Sequence, residues 1–146
     1  MSQKRYLEAL QCEGQDVNPL FSFLGARLVS AAEGRASIEL PVSNRLAQGA
    51  GVVAGGILAT LADEAMAHAV LSLLADGLKT VTTEMNIRYL RATDPYKGGK
   101  LVAVGRVIKP GRSIMTTDAE IHDGTGRLLA TAGGSFFVLG AEKAGL

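Results

Sequence analysis

Asp63 and the glycines that precede it are the residues of this sequence whose types and spacing can do chemistry. The stretch runs Gln48-Gly-Ala-Gly-Val-Val-Ala-Gly-Gly56 and continues without a break into Ile-Leu-Ala-Thr-Leu-Ala-Asp63-Glu-Ala-Met66. Glycines at a helix start leave backbone N–H groups free to hold a developing negative charge. A carboxylate two turns further along can act as a base or as a nucleophile. Together these are the parts of an acyl-transfer site.

The element that must carry them is one long helix, from Gly55 to about Asp76, with Asp76-Gly77 as its stop. Successive helical residues are turned by about 100°, and on that wheel Ile57, Leu58, Leu61, Met66, Val70, Leu73 and Leu74 occupy nearly the whole circumference. A helix apolar almost all round is a buried helix. Its polar residues divide. Glu64 and His68, four apart, share one edge and can pair there. Asp63 projects among Ala59, Met66, Val70 and Leu74, a partly desolvated setting that strengthens its interactions with any polar group that enters. Of the two adjacent acids, Asp63 is the chemical candidate; His68 is expected at the helix edge and His122 on a strand or turn.

Strands must surround such a helix. Ala26–Ala32 and Arg35–Val42 flank Glu33-Gly34, and the second alternates, with Ala36, Ile38 and Leu40 on one side. After the helix, Val81, Thr83, Met85, Ile87 and Tyr89 alternate with Thr82, Glu84, Asn86 and Arg88. Leu101–Ile108 is mostly apolar and reads as central. Met115–His122 alternates again, and Leu128–Leu139 is last. Turn chemistry separates them at Asp94-Pro95, Gly98-Gly99, Lys109-Pro110-Gly111 and Asp123-Gly124. Two short helices precede the strands, one over residues 3–13 and one capped by Asn18-Pro19. The expected class is α+β, an antiparallel sheet wrapped around one long central helix. A single domain is expected over residues 1–146, with its core at about 20–139 and a helical extension at 3–24.

Totals narrow the function. A formal net charge of +1 argues against a dedicated nucleic-acid binder. The single cysteine, Cys12, excludes an internal disulfide and a cysteine-based zinc site, and fits a reducing compartment. The start, Met-Ser-Gln-Lys-Arg-Tyr, lacks the apolar core of a secretory leader, and Asp63, Glu64 and His68 interrupt the longest apolar run. A cytoplasmic protein without a membrane or nucleic-acid partner is expected.

Gly49-Ala-Gly51-Val-Val-Ala54 matches the dinucleotide fingerprint G-x-G-x-x-A, but the context fails. Ser-Asn-Arg-Leu-Ala-Gln precedes it instead of a buried strand, and helix lies where the ribose-binding acid should be. A different match covers more of the chain. Gln48-x-x-Gly51-x-x-Ala54-Gly55-Gly56, followed by Leu61-Ala62-Asp63, resembles the signature of hotdog-fold acyl-CoA thioesterases of the 4-hydroxybenzoyl-CoA and phenylacetate-pathway (PaaI-like) branch. Thr82–Arg91 resembles the family's third-strand segment, and Gly105–Ile108 and Asp123–Arg127 fit its later strands and turn. The resemblance spans about residues 20–139. It implies that Asp63 is the catalytic carboxylate, that the Gly55 N–H forms the oxyanion hole, and that Gln48 and Thr82 hold the water or the carboxylate. Ala54, Gly56 and Met66, beside these groups, are expected to line the bound thioester. One departure stands out: the family's histidine before Gly-Gly is Ala54 here.

Spacing adds a statement about assembly. Gly55 and Asp63, eight residues apart, are separated by about 12 Å along a helix. An oxyanion donor must lie ~3 Å from its oxygen, so one helix cannot offer both groups to one carbonyl. Two antiparallel copies can, which predicts a homodimer with shared sites; the resemblance implies the same, with further pairing to a tetramer. Arg88, Arg91, Lys109 and Arg112 are candidates for the phosphates of coenzyme A. The expected activity is hydrolysis of a small aromatic or medium-chain acyl-CoA, with no cofactor or metal and with coenzyme A only as part of the substrate. The alternatives are a catalytically weak acyl-CoA-binding hotdog protein, motivated by Ala54, and a hotdog enoyl-thioester hydratase.

Overall fold

The computed structural model describes residues 1–140; positions 141–146 of the expected domain lie outside the described residues. In chain order the elements are α1 (Gln3–Ala9), α2 (Pro19–Leu24), β1 (Arg27–Ala32), β2 (Arg35–Pro41), a 3-10 turn (Asn44–Leu46), α3 (Gly55–Leu71), β3 (Lys79–Tyr89), β4 (Lys100–Lys109), β5 (Ile114–Asp123) and β6 (Leu128–Leu139). The six strands form one antiparallel sheet in the order β1-β2-β4-β5-β6-β3. β4, the most apolar segment by sequence, is indeed interior. The sheet curls around α3, the hotdog arrangement that the element order predicts.

The helix packs on the sheet through small residues. Ala62, Ala65 and Ala69 are fully buried on α3, and below them Gly105 of β4 pairs with Ala36 of β2 and Ala119 of β5. A Cβ on Gly105 would stand 2.4 Å from the Ala65 backbone carbonyl, so helix and sheet touch backbone to backbone here. Larger side chains, among them Leu61, Met66, Ile38, Leu101, Ile121 and Phe136, fill the flanks of this contact and are also buried. No helix of the described residues is long and apolar enough to cross a membrane.

Two boundaries differ from expectation. α3 ends at Leu71 rather than near Asp76. The Ser72 hydroxyl donates to the Ala69 carbonyl and accepts the Gly34 N–H, tying the helix end to the β1–β2 turn. Asp76 instead accepts the N–H of Gln3. α1 stops at Ala9 and its last turns loosen through Cys12. α2 begins as predicted, with the Asn18 side chain accepting the Phe21 N–H and Pro19 in the first turn.

The largest difference is in β3. Thr82 pairs with Phe136 and Glu84 with Ser135, leaving Thr83 as a bulged residue. Cross-strand partners share a face, so Thr80 and Thr82, opposite Val138 and Phe136, point to α3 together with Met85, Ile87 and Tyr89. Simple alternation would have turned Thr82 to the outer face. The bulge re-aims it inward.

Candidate active site

α3 and β3 lie antiparallel along one seam, and the candidate residues sit at intervals along it. In the middle, the Thr82 hydroxyl donates to Asp63 Oδ1 at 2.6 Å, so residues 19 apart in the chain are joined. Asp63 is half-buried and Thr82 is exposed, and the second carboxylate oxygen has no hydrogen-bond partner among the described residues. A hydroxyl donor holds the carboxylate in one rotamer.

Gly55 begins α3 at one end of the seam. The loop before it is braced by the backbone: the Ala54 N–H donates to Leu46, Val53 to Thr93 and Gln48 to Val52. Gln48 Oε1 accepts from the Ala50 N–H, so its carbonyl shapes the loop. Ala54 is the N-cap and provides no side-chain cap. The N–H groups of Gly55 and Gly56 therefore have no acceptor among the described residues. Gly55 borders a cavity of about 320 Å³ whose lining also includes Gln48, Leu58, Tyr89, Arg91 and Thr93. Thr93 Oγ1 is buried without a partner among the described residues, and its residue also borders the next cavity along the 92–100 loop.

The remaining sequence candidates separate. Arg91 lines the Gly55 cavity and its guanidinium donates to the Leu128 carbonyl. Arg88 opposes Thr131 and points to the outer face. Lys109 ends β4 and Arg112 lies in the β4–β5 turn, at the end of the sheet where β3 begins, away from Gly55. Met66 is fully buried in the core. The sequence places Tyr89 only in the alternation of its strand. It lies against Gly55, a tertiary contact for which strand periodicity gives no signal.

The acid next to Asp63 is strongly desolvated. Burial first, and then the Asp63 charge, push the Glu64 carboxyl up to about 7. His68 is also not a helix-edge residue: it is 2% exposed. Its Nδ1 faces the Glu64 backbone carbonyl at 2.7 Å, and Nε2 lies 3.1 Å from the Tyr6 hydroxyl, which accepts from the Asn18 amide. These partners fix the Nδ1–H tautomer, and burial lowers the His68 pKa and keeps the ring neutral. Tyr6 stacks on it and Phe21 packs at its side, so His68 anchors both N-terminal helices to α3.

A pH-dependent consequence follows from Glu64. Its folded pKa lies above its unfolded value, so the unfolded state loses that proton first and stability falls as pH rises from about 4.5 to about 7. Glu64→Gln removes this loss. Its Tm relative to the parent is expected to rise across that window and to level off above it. The buried neutral His68 acts oppositely, since its stability contribution is lost as pH falls below about 6.5. Because both proteins keep His68, the difference between their melting curves isolates Glu64; a difference independent of pH would contradict the assignment.

An antiparallel sheet around one long helix, with a carboxylate and a free helix start on its seam, defines a hotdog protein built for acyl chemistry. Comparison with known proteins supplies the family. The Thioesterase superfamily pattern matches residues 50–130. The chain belongs to that superfamily, in its PaaI-like branch, and is a thioester hydrolase. Human acyl-coenzyme A thioesterase 13 is 33% identical, covering 70% of this chain and 72% of that protein. Among solved structures, the E. coli PaaI protein from the phenylacetic acid degradation operon is 27% identical with a TM-score of 0.76, covering 84% and 86% of the two chains. A hypothetical thioesterase from Streptococcus pneumoniae, solved with coenzyme A, is 28% identical with a TM-score of 0.70, covering 78% and 88%.

Proposed function

We propose that this protein hydrolyses the thioester of a small aromatic or medium-chain acyl-CoA, with Asp63 as general base or nucleophile and the Gly55 N–H as oxyanion donor. The observation that carries this reading is the Thr82–Asp63 hydrogen bond on a seam that also holds an uncapped helix start. As general base, the carboxylate takes a proton from water while the water oxygen attacks the carbonyl carbon. The resulting oxyanion is held by backbone N–H, and its collapse breaks the C–S bond. The leaving thiolate regains the proton. A thioester has a good leaving group, so this chemistry asks for no metal or further cofactor. Gln48 and Thr82 keep the loop and the carboxylate in place.

Coenzyme A in the Streptococcus pneumoniae relative supports the same carrier here. Beyond Asp63, toward the end of α3, a groove of about 510 Å³ is bordered by Met1, Tyr6, Val17, Leu71 and Leu78, with Gln3, Lys79 and Thr80 also on its lining, and its apolar part suits an acyl group. Arg91 is the basic candidate that shares a cavity with Gly55, and it is assigned to the phosphate side.

The site is completed by a second copy. β3 is an 11-residue edge strand with Val81 and Tyr89 exposed, followed by the exposed Leu90. The other edge, at β1, is partly covered, since the Leu28 N–H bonds the Leu10 carbonyl. An open edge of that length is a template for pairing, and antiparallel pairing about a two-fold axis brings each Gly55 toward the other chain's Asp63.

Mixed dimers test this directly. Gly55→Pro removes the N–H at the first helical position, where Ala54 already has the extended backbone that proline requires of its neighbour; its Cβ would stand 3.1 Å from Tyr89 Cζ, so circular dichroism first checks that the variant folds. Asp63→Ala and Gly55→Pro are each expected to be inactive on a panel of acyl-CoA thioesters. Randomly mixed subunits should recover about a quarter of the parental activity, because half are heterodimers with one intact site. No recovery would exclude sites shared between chains, and no turnover by the parent on any thioester would favour a binding protein, the reading that Ala54 motivates.

A further inference from the structure

We infer that Tyr89 is a positioning residue for the oxyanion-binding helix start, an assignment that rests on the acyl-transfer reading above. Its hydroxyl donates to the Gly55 carbonyl at 2.7 Å, and its ring closes over the same residue. A Cβ on Gly55 would lie 3.1 Å from Cζ and 3.2 Å from the hydroxyl oxygen. A side chain at 55 would therefore press on the phenol, which would have to give by a few tenths of an ångström.

This contact supplies what the loop lacks. Ala54 cannot cap the helix with its side chain, and the backbone bonds that brace the loop all lie on the N-terminal side of Gly55. Tyr89 acts from the other side, and its own position is set by the sheet. It opposes Ala130 of β6, and the N–H groups of Leu90 and Arg91 both bond the Leu129 carbonyl. The hydroxyl therefore ties the first peptide of α3 to a rigid strand. It also polarises the Gly55–Gly56 peptide, strengthening the Gly56 N–H as a second donor beside that of Gly55. The effect on catalysis is indirect, through the direction in which these N–H groups point.

The experiment compares Tyr89→Phe with the parent on an acyl-CoA the parent turns over. Loss of one hydrogen bond that aims the oxyanion donor is expected to lower kcat about three- to tenfold, with KM and Tm little changed. Parental kcat, or a raised KM alone, would overturn the assignment. A double-mutant cycle supplies the second readout. Gly55→Ala is expected to cost more in kcat when Tyr89 is present than in a Tyr89→Ala background, where the new methyl has room; additive losses would show that the ring does not act through Gly55. Full activity of Asp63→Ala would instead mark failure of the acyl-transfer reading itself, so the two failures are distinguishable.

Discussion

Asp63→Asn is expected to lower kcat by about two to four orders of magnitude while leaving the fold and substrate binding nearly intact. The amide is isosteric with the carboxylate, and its oxygen can still accept the Thr82 hydroxyl that now sits 2.6 Å from Oδ1. What it lacks is the ability to take a proton or to attack a carbonyl carbon. Because Asp63 is only half-buried and the amide has the size and shape of the carboxylate, no packing is lost with the charge. The mutation should therefore appear in kcat and not in Tm. Glu64→Gln is the matched control, since it neutralises the adjacent acid. Glu64 lies beside His68, its carboxylate 3.7 Å from Nδ1, and Thr82 bonds Asp63 and not Glu64. Its turnover is expected within a few-fold of the parent. Steady-state kinetics with circular dichroism melts on all three proteins checks both statements. A near-parental kcat for Asp63→Asn would remove the carboxylate from the chemistry, and a loss in Glu64→Gln as large as in Asp63→Asn would move the role to its neighbour.

The contrast between those two acids shows where reading the sequence succeeds and where it stops. Periodicity placed six strands and a buried helix in the right order, because each segment's apolar residues repeat at the spacing of its own backbone. Asn18-Pro19 announced a helix start because cap and first-turn proline act locally. The union of Asp63 with Thr82 was accessible from the family resemblance. The means by which they meet was not, because a bulge at Thr83 leaves the alternation on either side intact and shifts only its phase. The burial of Glu64 was not legible for a similar reason. A helical wheel ranks residues by neighbours on the helix, whereas Glu64 is covered by side chains from elsewhere, with Tyr6 and Phe21 packed about the His68 ring beside it. His68 looked like an edge residue until the N-terminal helices were placed over it. Tyr89 escaped notice because its partner is a backbone carbonyl 34 residues away. Local rules find elements; contacts between elements decide what the side chains do.

Gly105→Ala illustrates the same dependence at its largest expected cost. A methyl there would stand 2.4 Å from Ala65 C and O and 2.6 Å from the Met66 nitrogen. These are backbone atoms in the middle of α3, so no side chain can swing aside. The helix must rise by about 1 Å to reach ordinary contact, or β4 must sink between Ala36 and Ala119 in its neighbouring strands. Either shift loosens Leu61, Met66 and Ala69 together, since interiors are packed without slack. A cost of about 3 kcal/mol or more is expected, a large part of the 5–15 kcal/mol that holds a typical domain. Thermal melts should show a Tm lowered by roughly 10 °C or more, or a protein that fails to accumulate. Gly133→Ala is the control: it also sits in a strand, but its added methyl meets the Asn86 amide at 3.6 Å, an ordinary contact. Its Tm should stay close to the parent's. If Gly105→Ala melts like the parent, the close approach of α3 to β4 is wrong. If it folds with a lowered Tm, its activity should fall further than its stability requires, because a lifted α3 carries Asp63 away from a Thr82 that the sheet holds in place.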